Sequence, residues 1–147
     1  MGVNLLIVEA DTLFRQSLAG RLPDRGWKIS FAGRQDEAKK MVKRKGVDVV
    51  LLGINTLKNE GVEILKMIKK IHPLTEVIII NSSEQIVLSI EGMKLGAFDD
   101  FLVPFDIDSL IRRIQDACRQ KKQREKQKKS LFRRCQDIMM AATFAEA

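Results

Sequence analysis

The chain has 147 residues, 45% of them hydrophobic and 5% aromatic, and a net charge of +7. This length and apolar content suffice for one domain of ordinary size, and no apolar run reaches the ~18 residues that a membrane-spanning helix needs. The two cysteines and the single histidine show no metal-ligand spacing. The composition therefore favours a reduced, cytoplasmic protein and indicates neither a metal centre nor a cofactor.

The positive charge is concentrated in one segment. Residues 1–111 carry 15 basic and 15 acidic residues, whereas residues 112–134 carry 11 basic and 2 acidic residues. Any argument about an acidic partner therefore applies to residues 112–134 and not to the rest of the chain.

Five short runs predict β-strands. Residues 5–8, 49–52 and 77–80 are uninterrupted apolar runs, which are typical of strands that helices cover on both faces. Residues 28–32 alternate between polar and apolar and indicate a more exposed strand. Residues 101–103, which precede Pro104, complete the set.

Each predicted strand is followed by apolar residues at helical spacing. Asp11 or Thr12 is the expected N-cap of the first helix, and Asp106 is that of the fifth. Alternation of strands and helices predicts an α/β fold with a five-stranded parallel sheet and helices on both faces. The apolar positions of the five helices are Leu13, Phe14, Leu18 and Leu22; Ala38, Met41 and Val42; Val62, Leu65, Ile68 and Ile71; Ile86, Leu88, Ile90, Met93 and Leu95; and Ile107, Leu110, Ile111, Ile114 and Cys118.

The fifth helix has no evident end. Residues 119–129 contain no apolar residue, proline or glycine, so the helix can continue through them. A second amphipathic pattern follows, about 16 Å beyond the core at 1.5 Å per residue, which is too far for it to be buried there. We therefore divide the chain into a domain (1–118) and a helical extension (119–147) that acts as a linker or an interaction helix. The candidate interaction residues of the extension are Leu131, Cys135, Ile138, Met139 and Ala142.

Several sequence blocks occur in the order and at the spacing of a known family. They are LLIVEAD, DVVLLGIN, GVEILKMIKKIHP, VIIINSS and GAFDDFLVPFDIDSLIRRI. Over residues 3–118 the chain resembles the receiver domain of bacterial two-component response regulators. The resemblance implies a flavodoxin-like, doubly wound (βα)5 fold, which this chain would follow with an extended C-terminal helix.

The resemblance also implies a phosphorylation pocket at the carboxyl ends of the strands. Such a pocket has two acidic residues that hold a cation, an aspartate that accepts the phosphoryl group, a Ser or Thr and a Lys, because phosphoryl transfer requires positioning and charge neutralisation. Of these side chains, only the first of the two acidic residues is kept. The corresponding positions here are Glu9, Ala10, Gly53, Asn81 and Val103.

These substitutions predict a pseudo-receiver that is not an enzyme and does not act through aspartyl phosphate. Glu9, Asp11 and Asn55 remain weak candidates for cation ligands, and the pocket is either reused for another ligand or simply decayed. The position of the family's switch aromatic is Asp100, with Phe101 next to it.

The expected function is therefore protein–protein interaction in two-component signalling. The partner is a protein of the pathway or a second copy in a homodimer, through the fourth helix, fifth strand and fifth helix or through the extension. A phosphorelay receiver with an atypical acceptor or residual cation binding stays open. Non-specific nucleic-acid binding by the basic segment is a weaker alternative.

Overall fold

The computed structural model describes residues 2–44 and 46–146, without the side chains of residue 55 and residues 144–146. Its centre is a parallel sheet with the strand order β2-β1-β3-β4-β5. This arrangement confirms the predicted α/β fold class. The strands are β1 (Val3–Val8), β2 (Trp27–Ala32), β3 (Val49–Gly53), β4 (Glu76–Asn81) and β5 (Asp99–Leu102).

The five predicted helices form, and the structure adds a short helix, α3, directly after β3 and a 3-10 turn at Ser83–Gln85. The side chain of Asp11 accepts hydrogen bonds from the backbone N–H groups of Leu13 and Phe14, so Asp11 is the N-cap of the first helix. Because of α3, the predicted fourth and fifth helices are α5 and α6. The helices are α1 (Thr12–Gly20), α2 (Gln35–Lys43), α3 (Ile54–Leu57), α4 (Asn59–Ile71), α5 (Ile86–Lys94) and α6 (Ile107–Glu146).

The core has one layer on each side of the sheet. Leu6 and Leu52 point towards α2 and α4, whereas Leu5 and Leu51 point towards α1 and α6. Successive residues of a strand face opposite sides, so an unbroken apolar run fills both layers. This is why the apolar runs identified the central strands.

The packing of α5 differs from the sequence prediction. Ile86, Ile90 and Met93 were expected on its apolar face, but they are 54%, 52% and 41% exposed. The buried residues of α5 are Ser89 and Gly92. A Cβ atom at Gly92 would lie 2.2 Å from Cδ1 of Ile79, so small residues bring the helix close to the sheet. Leu88 and Leu95 pack against the core as predicted, whereas Ile86, Ile90 and Met93 lie outside it.

The polar part of α6 is attached to the body of the domain. Lys121 forms an ion pair of 3.1 Å with Asp48, and Arg124 lies 3.6 Å from the carboxylate of Glu76. Both carboxylates are buried at the amino-terminal edge of the sheet. The helix is therefore in contact with the domain beyond residue 118, and the division of the chain at residues 118 and 119 stays a prediction. Among the described residues, none of the helices combines the length and apolarity needed to cross a bilayer.

Candidate functional site

The residues of the predicted pocket lie at one edge of the sheet. Val8 pairs with Leu52 across β1 and β3, and Gly53 pairs with Ile80 across β3 and β4. The strands run in parallel, so their carboxyl ends meet at this edge, where ligands of open α/β sheets usually bind. Glu9, Gly53, Asn81 and Val103 stand at the ends of β1, β3, β4 and β5 respectively.

The carboxyl group of Glu9 occupies the space beside Gly53. A Cβ atom at position 53 would lie 1.8 Å from Oε2 and 2.7 Å from Cδ of Glu9. Oε1 of Glu9 accepts hydrogen bonds from the hydroxyl of Thr56 and, at 3.0 Å, from the backbone N–H of Asp11. The place where an acceptor side chain would begin is thus filled by a carboxyl group that accepts hydrogen bonds from two donors.

Glu9 is only 3% exposed. Burial raises the pKa of its carboxyl group above the ordinary value of 4.5, although the hydrogen bond from Thr56 acts in the opposite direction. Burial is therefore the main reason why the uncharged form of this carboxyl group is favoured.

The described side chains do not fit the divalent cation of the resembled family. Ala10 offers no ligand atom, and Oδ1 of Asp11 already accepts from the N–H groups of Leu13 and Phe14, at 3.0 and 3.2 Å. Asn55, the third candidate ligand, has a side chain outside the described part of the structure. Within the described residues, no group of three or more His, Cys, Asp or Glu side chains is placed to hold a metal ion.

Asn81, at the position of the family's hydroxyl, is turned away from Glu9 towards α5. Its Nδ2 donates to the carbonyl of Gln85 and to the hydroxyl of Ser89, both at 2.7 Å. Its Oδ1 accepts from the N–H of Ser82 at 2.8 Å. Asn81 is completely buried, so this side chain fixes the start of α5 and is not available to a ligand.

Val103 replaces the family's lysine and brings no charge. Its backbone N–H donates to the carbonyl of Asn81 at 2.8 Å. A cavity of about 110 Å³ remains at this edge, lined by Glu9, Asp11, Phe14, Thr56, Ile80 and Val103. The lining contains two carboxyl groups and no cationic side chain, so it disfavours an incoming phosphoryl group.

Asp100, at the position of the family's switch aromatic, and its neighbour Phe101 are half-buried in β5. Asp100 lies beside Ile86, Ile90 and Met93 of α5. Phe101 packs edge to face on Phe105, with 6.0 Å between the ring centroids. The structure thus places an apolar and aromatic surface at α5, β5 and the start of α6.

Two residues of this site were not singled out in the sequence. Thr56 binds Glu9, and Ser89 binds Asn81. Each had a signal: Thr56 stands where the resembled family usually has methionine, and Ser89 is a polar residue inside an apolar helical pattern. A polar residue in a predicted core position needs a hydrogen-bond partner. For Ser89 this partner is Asn81.

The comparisons with known proteins agree with the observed fold. The family model of the response regulator receiver domain matches residues 5–115. An NtrX-like response regulator of Rickettsia felis is 34% identical over 118 residues, which are 79% of this chain and 25% of that protein. The chain therefore spans about a quarter of the length of this curated relative.

Solved structures give the same result. The receiver domain of NtrX from Brucella abortus superposes with a TM-score of 0.71 at 29% identity, covering 78% of this chain and 98% of that one. A CheY-like receiver domain of Methanospirillum hungatei, at 20% identity, has a TM-score of 0.75 over 84% of this chain and 99% of that chain, and it supports the fold alone.

Proposed function

This chain belongs to the response regulator receiver domain family, and from that premise we propose that it is a signalling module that works without accepting a phosphoryl group. In this proposal it acts by protein–protein contact in a two-component pathway in the cytoplasm. The proposal rests on the position of the carboxyl group of Glu9, whose Oε2 lies 1.8 Å from where a Cβ atom at position 53 would be. The nucleophile is missing, and the space for it is occupied.

The charge balance of the pocket supports the same proposal. Transfer of a phosphoryl group requires cations that neutralise the negative charge spreading over its oxygens. Val103 supplies none, and the free oxygen atoms of Glu9 and Asp11 would repel the donor. A conformational change driven by phosphorylation also needs groups that contact the phosphoryl oxygens in one state only. Asn81, which occupies the hydroxyl position, is bound to Gln85 and Ser89 instead.

The exposed apolar surface of α5 supports a role in protein contact. Ile86, Val87, Ile90 and Met93 are between 41% and 72% exposed. Contiguous exposed apolar side chains of this kind usually mark interaction sites, since leaving them in water is unfavourable. In the proposal, this surface and the end of α6 carry the signal to a protein of the pathway.

Labelling with a small phosphoryl donor tests the proposal. The full chain is incubated with acetyl phosphate and Mg²⁺, and its intact mass is measured before and after treatment with hydroxylamine. We expect no phosphoryl adduct on the wild-type chain. The variant that combines Ala10→Asp, Gly53→Asp, Asn81→Thr and Val103→Lys is the positive control.

A second variant separates the two causes of inactivity. Gly53→Asp alone restores the nucleophile but meets the carboxyl group of Glu9 and lacks the counter-charge, so we expect it to stay unlabelled. A hydroxylamine-sensitive adduct on the wild-type chain would contradict the proposal and favour a phosphorelay receiver with an atypical acceptor.

A further inference from the structure

A groove lies at the amino-terminal edge of the sheet, at the opposite edge from the pocket of Glu9. It has a volume of about 400 Å³ and is bounded by α6 on one side and by the loops that precede β3 and β4 on the other. We call it the basal groove. The lining residues that matter here are Val47, Ile71 and Leu74, which are apolar, and Arg44, Lys128 and Lys129, which are basic.

The floor of the basal groove is apolar and is held in place. Val47 is buried in the core, and Ile71 and Leu74 are half-buried. The hydroxyl of Thr75 donates to the carbonyl of Val47 at 3.0 Å, which ties together the loops that precede β3 and β4. This floor offers a place for an apolar side chain of a partner, since covering it removes further apolar area from water.

The rim of the basal groove carries unpaired positive charge. Arg44, Lys128 and Lys129 are exposed, and within the described part of the chain no ion pair or hydrogen bond engages their side chains. The other two charged residues of the lining, Lys121 and Glu125, pair with each other. The groove therefore presents three free cationic groups above an apolar floor, whereas its described carboxylate already faces a lysine.

The wall that α6 contributes is fixed before any partner arrives. Lys121 pairs with Asp48 at 3.1 Å, and Arg124 lies 3.6 Å from the carboxylate of Glu76. Both carboxylates are buried at the start of β3 and β4. A partner that binds beside this wall does not have to order it, and binding to a preorganised surface loses less conformational entropy.

We propose that the basal groove binds an acidic segment of a partner protein, with one apolar side chain on the floor and carboxylates at the basic rim. Such a segment complements the lining in both charge and polarity. The phosphates of a nucleic acid would satisfy the cations but leave the apolar floor uncovered, and none of the described lining residues is a Phe or Trp on which a base could stack. Since the groove and the pocket lie at opposite edges of the sheet, this proposal does not rest on the missing phosphoryl acceptor.

Selection from a display library of short random peptides tests the proposal on the full chain. We expect the enriched peptides to carry acidic residues on both sides of one apolar residue. The most enriched peptide, labelled with fluorescein, should bind saturably when its fluorescence anisotropy is followed. A selection that enriches no acidic peptide would contradict the proposal.

Charge reversal on α6 locates the binding site of that peptide. The double variant Lys128→Glu and Lys129→Glu should weaken binding by about tenfold or more, because both ammonium groups line the groove. Lys126→Glu with Arg134→Glu is the matched control, since it changes the net charge equally at exposed residues that do not line the groove. Long-range attraction alone should cost this control less than about threefold at physiological salt. Equal losses in the two double variants would refute a site in the groove.

Leu74→Ala tests the apolar floor, and its urea unfolding midpoint shows whether the fold is kept. We expect weaker binding of the peptide and unchanged binding of a duplex DNA of mixed sequence. DNA that binds the wild type more tightly than the peptide does, and that displaces the peptide, would overturn the proposal in favour of a nucleic acid. A dimer of the free chain that Lys128→Glu with Lys129→Glu dissociates would overturn it in favour of a second copy. Each of these results is independent of whether the pocket accepts a phosphoryl group.

Discussion

At the scale of single residues, the pair formed by Glu9 and Gly53 decides what the pocket can do. Sequence comparison with the resembled family identifies Gly53 as a missing nucleophile, but it does not show where the neighbouring carboxyl group goes. The side chain of Glu9 turns into the space beside Gly53, and the hydroxyl of Thr56 holds it there. Two substitutions that look independent in the sequence, at positions 53 and 56, therefore form one packed unit with the carboxyl group of Glu9.

This unit predicts strong coupling between positions 9 and 53. Gly53→Ala forces the carboxyl group of Glu9 away from its donors and should lower the free energy of unfolding by about 1–3 kcal/mol, as expected for overpacking. In a Glu9→Ala background the same change should cost much less, since the new methyl group meets no carboxyl group. Urea unfolding of the four proteins measures the coupling, and additive effects would show that the two residues do not share this space.

The buried carboxyl group also predicts a pH dependence. The pKa of Glu9 is raised in the folded protein, chiefly by burial. Its contribution to stability is therefore fully present below the unfolded pKa, near 4.5, and is lost as the pH rises through the higher folded pKa.

Glu9→Gln keeps the acceptor oxygen for Thr56 and removes the ionisation. We expect this variant to be more stable than the wild type at neutral pH, with the difference vanishing in acid. Urea unfolding between pH 4 and pH 8 checks this, and a wild type that gains stability from Glu9 as the pH rises would contradict the assigned burial.

At the scale of elements, apolar periodicity predicted the strands and the existence of the helices, but not the orientation of every helix. The runs at residues 5–8, 49–52 and 77–80 have no polar side, so their burial follows from composition. In α5 the buried residues are Ser89 and Gly92, and even a Cβ atom at Gly92 would collide with Ile79. Periodicity records which residues are apolar, whereas the available space decides which of them are buried.

The extension was also only partly predictable. Its helical continuation follows from the absence of breakers, but its attachment to Asp48 and Glu76 depends on the three-dimensional position of carboxylates distant in sequence. Burial lowers the pKa of Lys121, but the hydrogen bonds and the charge attraction of Glu125 and Asp48 together outweigh it and raise the pKa, so the ammonium group stays charged. The basic residues 121 and 124 are thus in contact with the domain.

This attachment predicts a measurable role for Asp48. Asp48→Asn keeps an oxygen for the backbone N–H of Asn4, which donates to Asp48 at 2.9 Å, but removes the charge that faces Lys121. We expect a loss of about 1–2 kcal/mol in the free energy of unfolding, as for hydrogen bonds to charged groups, and faster hydrogen exchange at residues 119–125.

Glu63→Gln is the control for this prediction. It breaks the exposed pair of Glu63 with Lys66 at 3.2 Å, which should cost less than about 0.5 kcal/mol. Equal effects of the two substitutions would mean that the contact between α6 and the sheet contributes no more than a surface ion pair.

At the scale of the whole molecule, the fold of the family is kept, whereas the carboxyl group of Glu9 occupies the place of an acceptor side chain. Glu9 and Asn81 are buried at the carboxyl edge of the sheet, where a cavity of about 110 Å³ remains. At the amino-terminal edge, Asp48 and Glu76 contact α6. The apolar surfaces that remain are on α5 and on the end of α6, both outside the pocket. This distribution moves the expected site of function from the pocket to the outer helices.

The most direct test of the closed pocket is a titration with Mg²⁺ and beryllofluoride, which together imitate a bound phosphoryl group, followed by ¹H–¹⁵N NMR. We expect no saturable shifts at residues 9–11, 53–56 and 81–84, because the acceptor is absent and the carboxyl group of Glu9 already fills its place. The variant with Ala10→Asp, Gly53→Asp, Asn81→Thr and Val103→Lys should respond at those residues. Saturable shifts of the wild-type chain at the same positions would contradict a closed pocket.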